Sequence, residues 1–195
     1  SVSPEGLRNL AHTISDQIFE ALIGRPGGFN TRIAYVEERG NVDNPEYRLV
    51  VAEADGHRPQ SILTSNEPLM SPDWSPDGEQ LAYVSFESGR SSQIFIQDVA
   101  TGERRAVASF PGINGAPAWS PDGDQLAITL SQGGNPDIYL IDINASSEPR
   151  QLTRHLVSTP SRHGRLTVST CISPPTAAAA HRSTACPSTA VMHNV

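Results

Sequence analysis

Trp74-Ser75-Pro76-Asp77-Gly78-Glu79-Gln80-Leu81-Ala82 recurs as Trp119-Ser120-Pro121-Asp122-Gly123-Asp124-Gln125-Leu126-Ala127, 45 residues later. Each copy has the chemistry of a tight turn. Proline presets φ, aspartate tolerates the next position, and glycine accepts the positive φ at the exit. The tryptophan before the turn offers a large apolar surface to a neighbouring layer. The aspartates Asp77 and Asp122 therefore read as turn formers rather than as catalytic acids.

Working outward, each copy is followed by a β-rich run, a polar turn and a second run with a late aspartate. Those second runs are Gln93-Ile94-Phe95-Ile96-Gln97-Asp98 and Asp137-Ile138-Tyr139-Leu140-Ile141-Asp142. A charged turn and a short strand complete each unit, at residues 105–107 and 151–153. Four short strands in about 45 residues make the blade of a β-propeller. Residues 31–65 read as a third, less regular blade without the signature, with strands at 32–36, 47–52 and 61–64. A polar loop is expected over Glu37 to Glu46.

Before the strands, residues 3–24 read as one helix. Ser3 caps it, Pro4 suits its first turn, and Gly24 and Pro26 end it. Leu7, Leu10, Ala11, Ile14, Ile18, Ala21 and Leu22 fall at the spacing of one buried face. No partner for that face is evident downstream, so residues 1–28 are expected to be the last helix and linker of an upstream α/β domain. The expected layout is thus helix 1–28, partial propeller 29–155, and a tail over 156–195.

The tail differs sharply in composition. All 21 acidic and all 11 aromatic residues precede residue 156, whereas Cys171 and Cys186 both follow it. The body carries 11 arginines against those acids, which disfavours nucleic acid and anionic membrane as general partners. A body without cysteine suits an oxidising compartment. There is no signal peptide, and the start at Ser1 without Met is compatible with processing or truncation. No apolar run reaches the ~18–20 residues of a membrane span.

The 45-residue phase requires a third tryptophan at position 164, where Gly164 stands. Reading the third base of each codon with the first two of the next allows Trp-Ser-Pro-Asp-Gly across His163 to Val168, in the required register. This predicts a frameshift near His155 or Leu156, a disordered tail rich in Ser, Thr, Ala and Pro, and an aggregation-prone product. On that reading His163, His181, Cys171 and Cys186 are accidental. His12, His57 and His155 are widely spaced, so no metal or other cofactor is expected.

Several further stretches resemble one family. Leu7-Arg8 through Gly24, Thr31-Arg32-Ile33-Ala34-Tyr35-Val36, Pro68-Leu69-Met70-Ser71-Pro72, Phe86-Glu87-Ser88-Gly89-Arg90-Ser91, Val107-Ala108-Ser109-Phe110-Pro111 and Asn114-Gly115-Ala116-Pro117 are similar to TolB-type proteins of the Tol-Pal system. The resemblance covers residues 1–155. It implies a periplasmic, non-catalytic protein with a six-bladed propeller, supporting outer-membrane integrity and cell division. It further implies docking of the lipoprotein Pal at the propeller mouth and contact with TolA through an N-terminal domain. By this likeness the loops entering the blades face the partner, which singles out Pro68, Leu69, Met70, Asn114, Gly115 and Ala116. Two other readings compete. One is the propeller of a prolyl-oligopeptidase-like hydrolase, which would need a Gly-x-Ser-x-Gly elbow that this chain lacks. The other is a non-functional truncated product.

Overall fold

The computed structural model describes residues 4–41, 44–89, 91–132, 134–145 and 148–154. The expectations for the tail at 156–195 lie outside these residues. The helix α1 (Pro4–Ile23) comes first, ended by Gly24 at φ 73° with its N–H bonded to the Glu20 carbonyl. Three antiparallel sheets follow. They are β1 (Arg32–Asn41), β2 (Asn44–Glu53) and β3 (Gln60–Ser65); β4 (Leu69–Trp74), β5 (Gln80–Ser85), β6 (Gln93–Asp98) and β7 (Arg104–Ala108); and β8 (Asn114–Trp119), β9 (Gln125–Leu130), β10 (Asp137–Asp142) and β11 (Arg150–Gln151).

The third strands of both signature blades, β6 and β10, match the sequence reading residue for residue. One expectation needs correction. Residues 37–46 are largely paired strand rather than loop, because β1 and β2 continue as a long hairpin. Along that ladder Glu37 lies opposite Arg48 and Arg39 opposite Glu46, so the charges that suggested a loop are complementary across the strands. The first sheet has the three strands that residues 31–65 were expected to form, each longer than its sequence span.

Packing follows the two-residue period of the strands. On β5, Leu81 and Tyr83 point into a core shared with the first sheet, with Leu49, Val51, Leu69 and Phe95. Ala82 and Val84 point the other way, into a core with Trp119, Leu126, Ile128 and Leu130 of the third sheet. The middle sheet is thus covered on both faces, which is why β5 reads as nearly continuous hydrophobic sequence. The first sheet is covered on one. Ile33 and Tyr35 hold the places in β1 that Leu81 and Tyr83 hold in β5, yet they are 39% and 37% exposed where the latter are fully buried.

The helix contributes little to either core. Its apolar face, from Leu7 through Leu22, is open in the described residues, with Leu22 77% exposed. It is tied to the first sheet mainly by polar groups. Arg8 bonds Glu53 (3.0 Å) and also pairs with Asp55. The Asp16 carboxylate accepts the Phe29 and Asn30 N–H groups at 2.8 and 3.0 Å. Phe19 meets Phe29 edge-on, with centroids 6.2 Å apart.

Candidate docking surface

The signature turn builds one end of each blade. Ser75 N–H bonds the Gln80 carbonyl at 2.9 Å, closing the β4–β5 hairpin, and Gly78 N–H returns to the Ser75 carbonyl. Gly78 and Gly123 adopt φ of 72° and 79°. The Ser75 hydroxyl donates to Asp77 at 2.5 Å, and Asp77 also accepts the Glu79 N–H at 3.0 Å. The second copy repeats this between Ser120, Asp122 and Asp124. The serine hydroxyl, then the backbone amide, hold both aspartates below the usual carboxylate range. They are turn clasps, each binding a hydroxyl and an amide through Oδ1. Asp98 and Asp142 play the same part at the next turn. Asp98 binds the Thr101 N–H and hydroxyl, and Asp142 the Asn144 and Ala145 N–H groups.

The tryptophans of the signature join blade to blade. Trp119 N–H donates to the Asp73 carboxylate at 2.9 Å, and its indole Nε1–H donates to the Asp73 carbonyl at 3.3 Å. Burial pushes the Asp73 carboxyl upward, only partly opposed by the backbone N–H groups of Trp119 and Trp74. Trp74, the same residue one blade earlier, lies under the Arg32 guanidinium at 4.7 Å from its ring centroid. Its Nε1 is buried and has no hydrogen-bond partner among the described residues.

The six residues singled out from sequence lie at the opposite strand ends, where β4 and β8 begin, but they divide into two kinds. Leu69 is 3% exposed and packs in the core between the first two sheets. Asn114 is fully buried. Its Nδ2 donates to the carbonyls of Ser92 (2.9 Å), Phe110 (2.7 Å) and Gly112 (3.3 Å), while its Oδ1 accepts the Phe110 N–H at 2.9 Å. Both side chains shape the loops from inside. Met70 is 51% exposed and Ala116 is exposed, with Pro68 and Gly115 half-buried between these extremes.

One local distortion sets this surface, and the sequence reading missed it. Ser71 and Ala116, 45 residues apart, are non-glycine residues at φ 51° and 46°. Each sits in a β-bulge, between Met70 and Asp73 on β4 and between Gly115 and Ala118 on β8. Each is followed by a proline, Pro72 or Pro117, which cannot donate to a ladder and belongs at a bulge or edge. That proline inside a β-rich run was the available signal. The twin bulges leave Met70, Ser71 and Ala116 exposed on two strands, β4 and β8, that pack beside each other.

At the other strand end the fold gathers His12, Glu53 and Asp55. Arg8 binds both carboxylates, and Arg58 lies 3.6 Å from Glu53. The Arg8 hydrogen bond holds the Glu53 carboxyl below its usual range. Two guanidinium groups neutralise the two acids, so the cluster is an ion-pair joint between helix and sheet and offers a cation no net charge.

A family model described as the TolB β-propeller domain matches residues 19–161. The Tol-Pal system protein TolB of Methylococcus capsulatus is 58% identical over 109 residues, covering 56% of this chain and 26% of that protein. The TolB of Legionella pneumophila is 51% identical over 115 residues, covering 59% of this chain and 27% of that protein. Among solved structures, TolB from Acinetobacter baumannii superposes with a TM-score of 0.68 at 43% identity, over 75% of this chain and 36% of that one. A puromycin hydrolase is similar with a TM-score of 0.53 at 17% identity, over 64% of this chain and 21% of that one, a likeness of fold alone. The chain spans about a quarter of the length of the curated relatives it matches.

Proposed function

Because the chain belongs to the TolB β-propeller family, we propose that it serves the Tol-Pal system as a periplasmic, non-catalytic docking scaffold for the lipoprotein Pal. The observation that carries this reading is the pair of bulges, one on each of two adjacent blades, at which Met70, Ser71 and Ala116 are exposed. A half-exposed methionine on a stiff strand is an adaptable apolar contact, and two bulged backbones flank it with small residues that let a partner approach closely. The contact set is then Met70 and Ala116, with Pro68 and Gly115 at its rim. Leu69 and Asn114 hold the loops in shape without touching the partner.

The same reading places residues 1–28 at the end of an N-terminal α/β domain through which TolA is contacted. Support for outer-membrane integrity and cell division would follow from those two contacts. The open apolar face of α1 supports that assignment, since such a stripe needs a covering layer.

The test is retention of purified Pal by this chain and by its M70D and A116D variants. A charge in an apolar contact should weaken retention at least ~tenfold, about 1.4 kcal/mol. Unchanged retention in both variants rejects this surface. No retention by the parent chain rejects docking by these blades.

A further inference from the structure

Asn114 is followed by Gly115, and it is the only asparagine of the chain that precedes glycine. With no side chain, Gly115 leaves its backbone nitrogen open to attack the neighbouring amide. That attack joins the Gly115 nitrogen to Asn114 Cγ, and the amide nitrogen leaves as ammonia with the proton the attacking nitrogen gives up. Water then opens the cyclic imide to aspartate or isoaspartate. The fold itself does not require glycine here. Gly115 is not at positive φ, and a Cβ on it would meet nothing closer than Ile113 Cγ2 at 3.8 Å.

The folded chain holds this pair closed. Asn114 is fully buried, its amide hydrogens are shared among the carbonyls of Ser92, Phe110 and Gly112, and its Oδ1 takes the Phe110 N–H. Its own N–H donates to the Ser92 hydroxyl at 2.8 Å, and Gly115 lies opposite Thr129 in the β8–β9 ladder. Closing the imide ring must break the side-chain bonds and take Gly115 out of that ladder, so it waits on local opening. Neither product fits back. Aspartate would set a buried carboxylate against three carbonyl oxygens at 2.7–3.3 Å, with no hydrogen between them. Isoaspartate adds a backbone carbon just before the bulge at Ala116 and shifts the pairing with β9.

We propose that Asn114-Gly115 is a latent deamidation site, sealed in the folded blade and converted by water once β8 opens. Conversion runs one way, and it removes the amide that ties Ser92 of one loop to Phe110 and Gly112 of the next. The strand that carries Ala116 thus keeps a covalent record of having opened. This holds whether or not Met70 and Ala116 contact Pal.

Peptide mapping of the full chain by mass spectrometry detects exchange of the amide NH2 for OH at Asn114. In mildly alkaline buffer with urea above the unfolding midpoint, Asn114 should convert faster than any other asparagine of the chain. Without urea its conversion should be at least ~hundredfold slower. Gly115→Ala, compared in urea where folding plays no part, should convert at least ~tenfold more slowly than the parent. Converted chain returned to buffer should exchange the amide hydrogens of residues 110–116 at least ~tenfold faster than parent refolded from a brief exposure. Equal rates with and without urea, equal rates for the parent and G115A in urea, or parent-like protection of the converted chain overturns the proposal.

Discussion

Trp74 and Trp119 occupy one position of one repeat, so replacing each by phenylalanine is a controlled comparison. The lost apolar area is similar for both, roughly 40 Å² or about 1 kcal/mol at ~25 cal/mol per Å². It cancels in the difference. Trp119→Phe also deletes the Nε1 bond to the Asp73 carbonyl, a net loss of about 1 kcal/mol. Trp74→Phe deletes a donor that is buried and unpaired, which returns roughly 1–2 kcal/mol. Against that stands a weakened contact with Arg32, worth about 0.5 kcal/mol at this exposed guanidinium. W119F should therefore be the less stable of the two by about 2 kcal/mol, or ~4–8 °C in melting temperature for a chain of this size. Urea titration followed by far-ultraviolet circular dichroism measures it. Equal destabilisation, or a larger loss for W74F, would refute the contrast between a satisfied and an orphaned indole.

Other substitutions separate structural from surface roles. Asn114→Ala strips the Phe110 N–H and three carbonyls of a buried partner and should cost about 3 kcal/mol in chemical denaturation, whereas Met70→Ala stays within ~0.5 kcal/mol. Gly78→Ala or Gly123→Ala should cost about 1 kcal/mol each; a new Cβ meets nothing closer than 3.6 Å, so positive φ alone sets the penalty. The aspartates should split by sign in a pH series of melts. Asp77, Asp98 and Asp122 have depressed folded values, so their stabilisation is present above the unfolded value of ~3.9 and is lost as pH falls through the folded one. Asp73 has a raised folded value, so its stabilisation is present below the unfolded value of ~3.9 and is lost as pH climbs from there to the folded one. Asp73→Asn should thus gain on the parent over that climb, and a gain that shrinks there contradicts the assignment.

Much of this architecture is local enough to be legible in one dimension. The signature turns need only Pro, Asp and Gly in order, β6 alternates between two cores, and β10 alternates against one. What escaped the reading depends on partners. Glu37 and Arg39 look like loop residues until Arg48 and Glu46 are set opposite them. At the candidate surface, Leu69 and Met70 both read as partner-facing, yet neighbours on a strand face opposite ways, one into the core and one outward. Asn114 looked like a polar loop residue, but its bonds run to backbone groups up to 22 residues away. The joint between Asp73 and Trp119 spans 46 residues and has no sequence signature.

The attachment of α1 has a consequence for how the chain behaves in different buffers. The helix is held by Arg8, Asp16 and their partners, while Leu7, Leu10, Ile14, Ile18 and Leu22 face solvent. Raising ionic strength screens the exposed ion pairs within a few ångströms of water. A salting-out anion such as sulfate at the same time drives apolar surface to find cover. Both effects loosen the helix from its sheet and favour its burial elsewhere, so ammonium sulfate should turn this segment from a tethered arm into an adhesive one. Dilute, low-salt buffer is the medium in which the blades keep it to themselves.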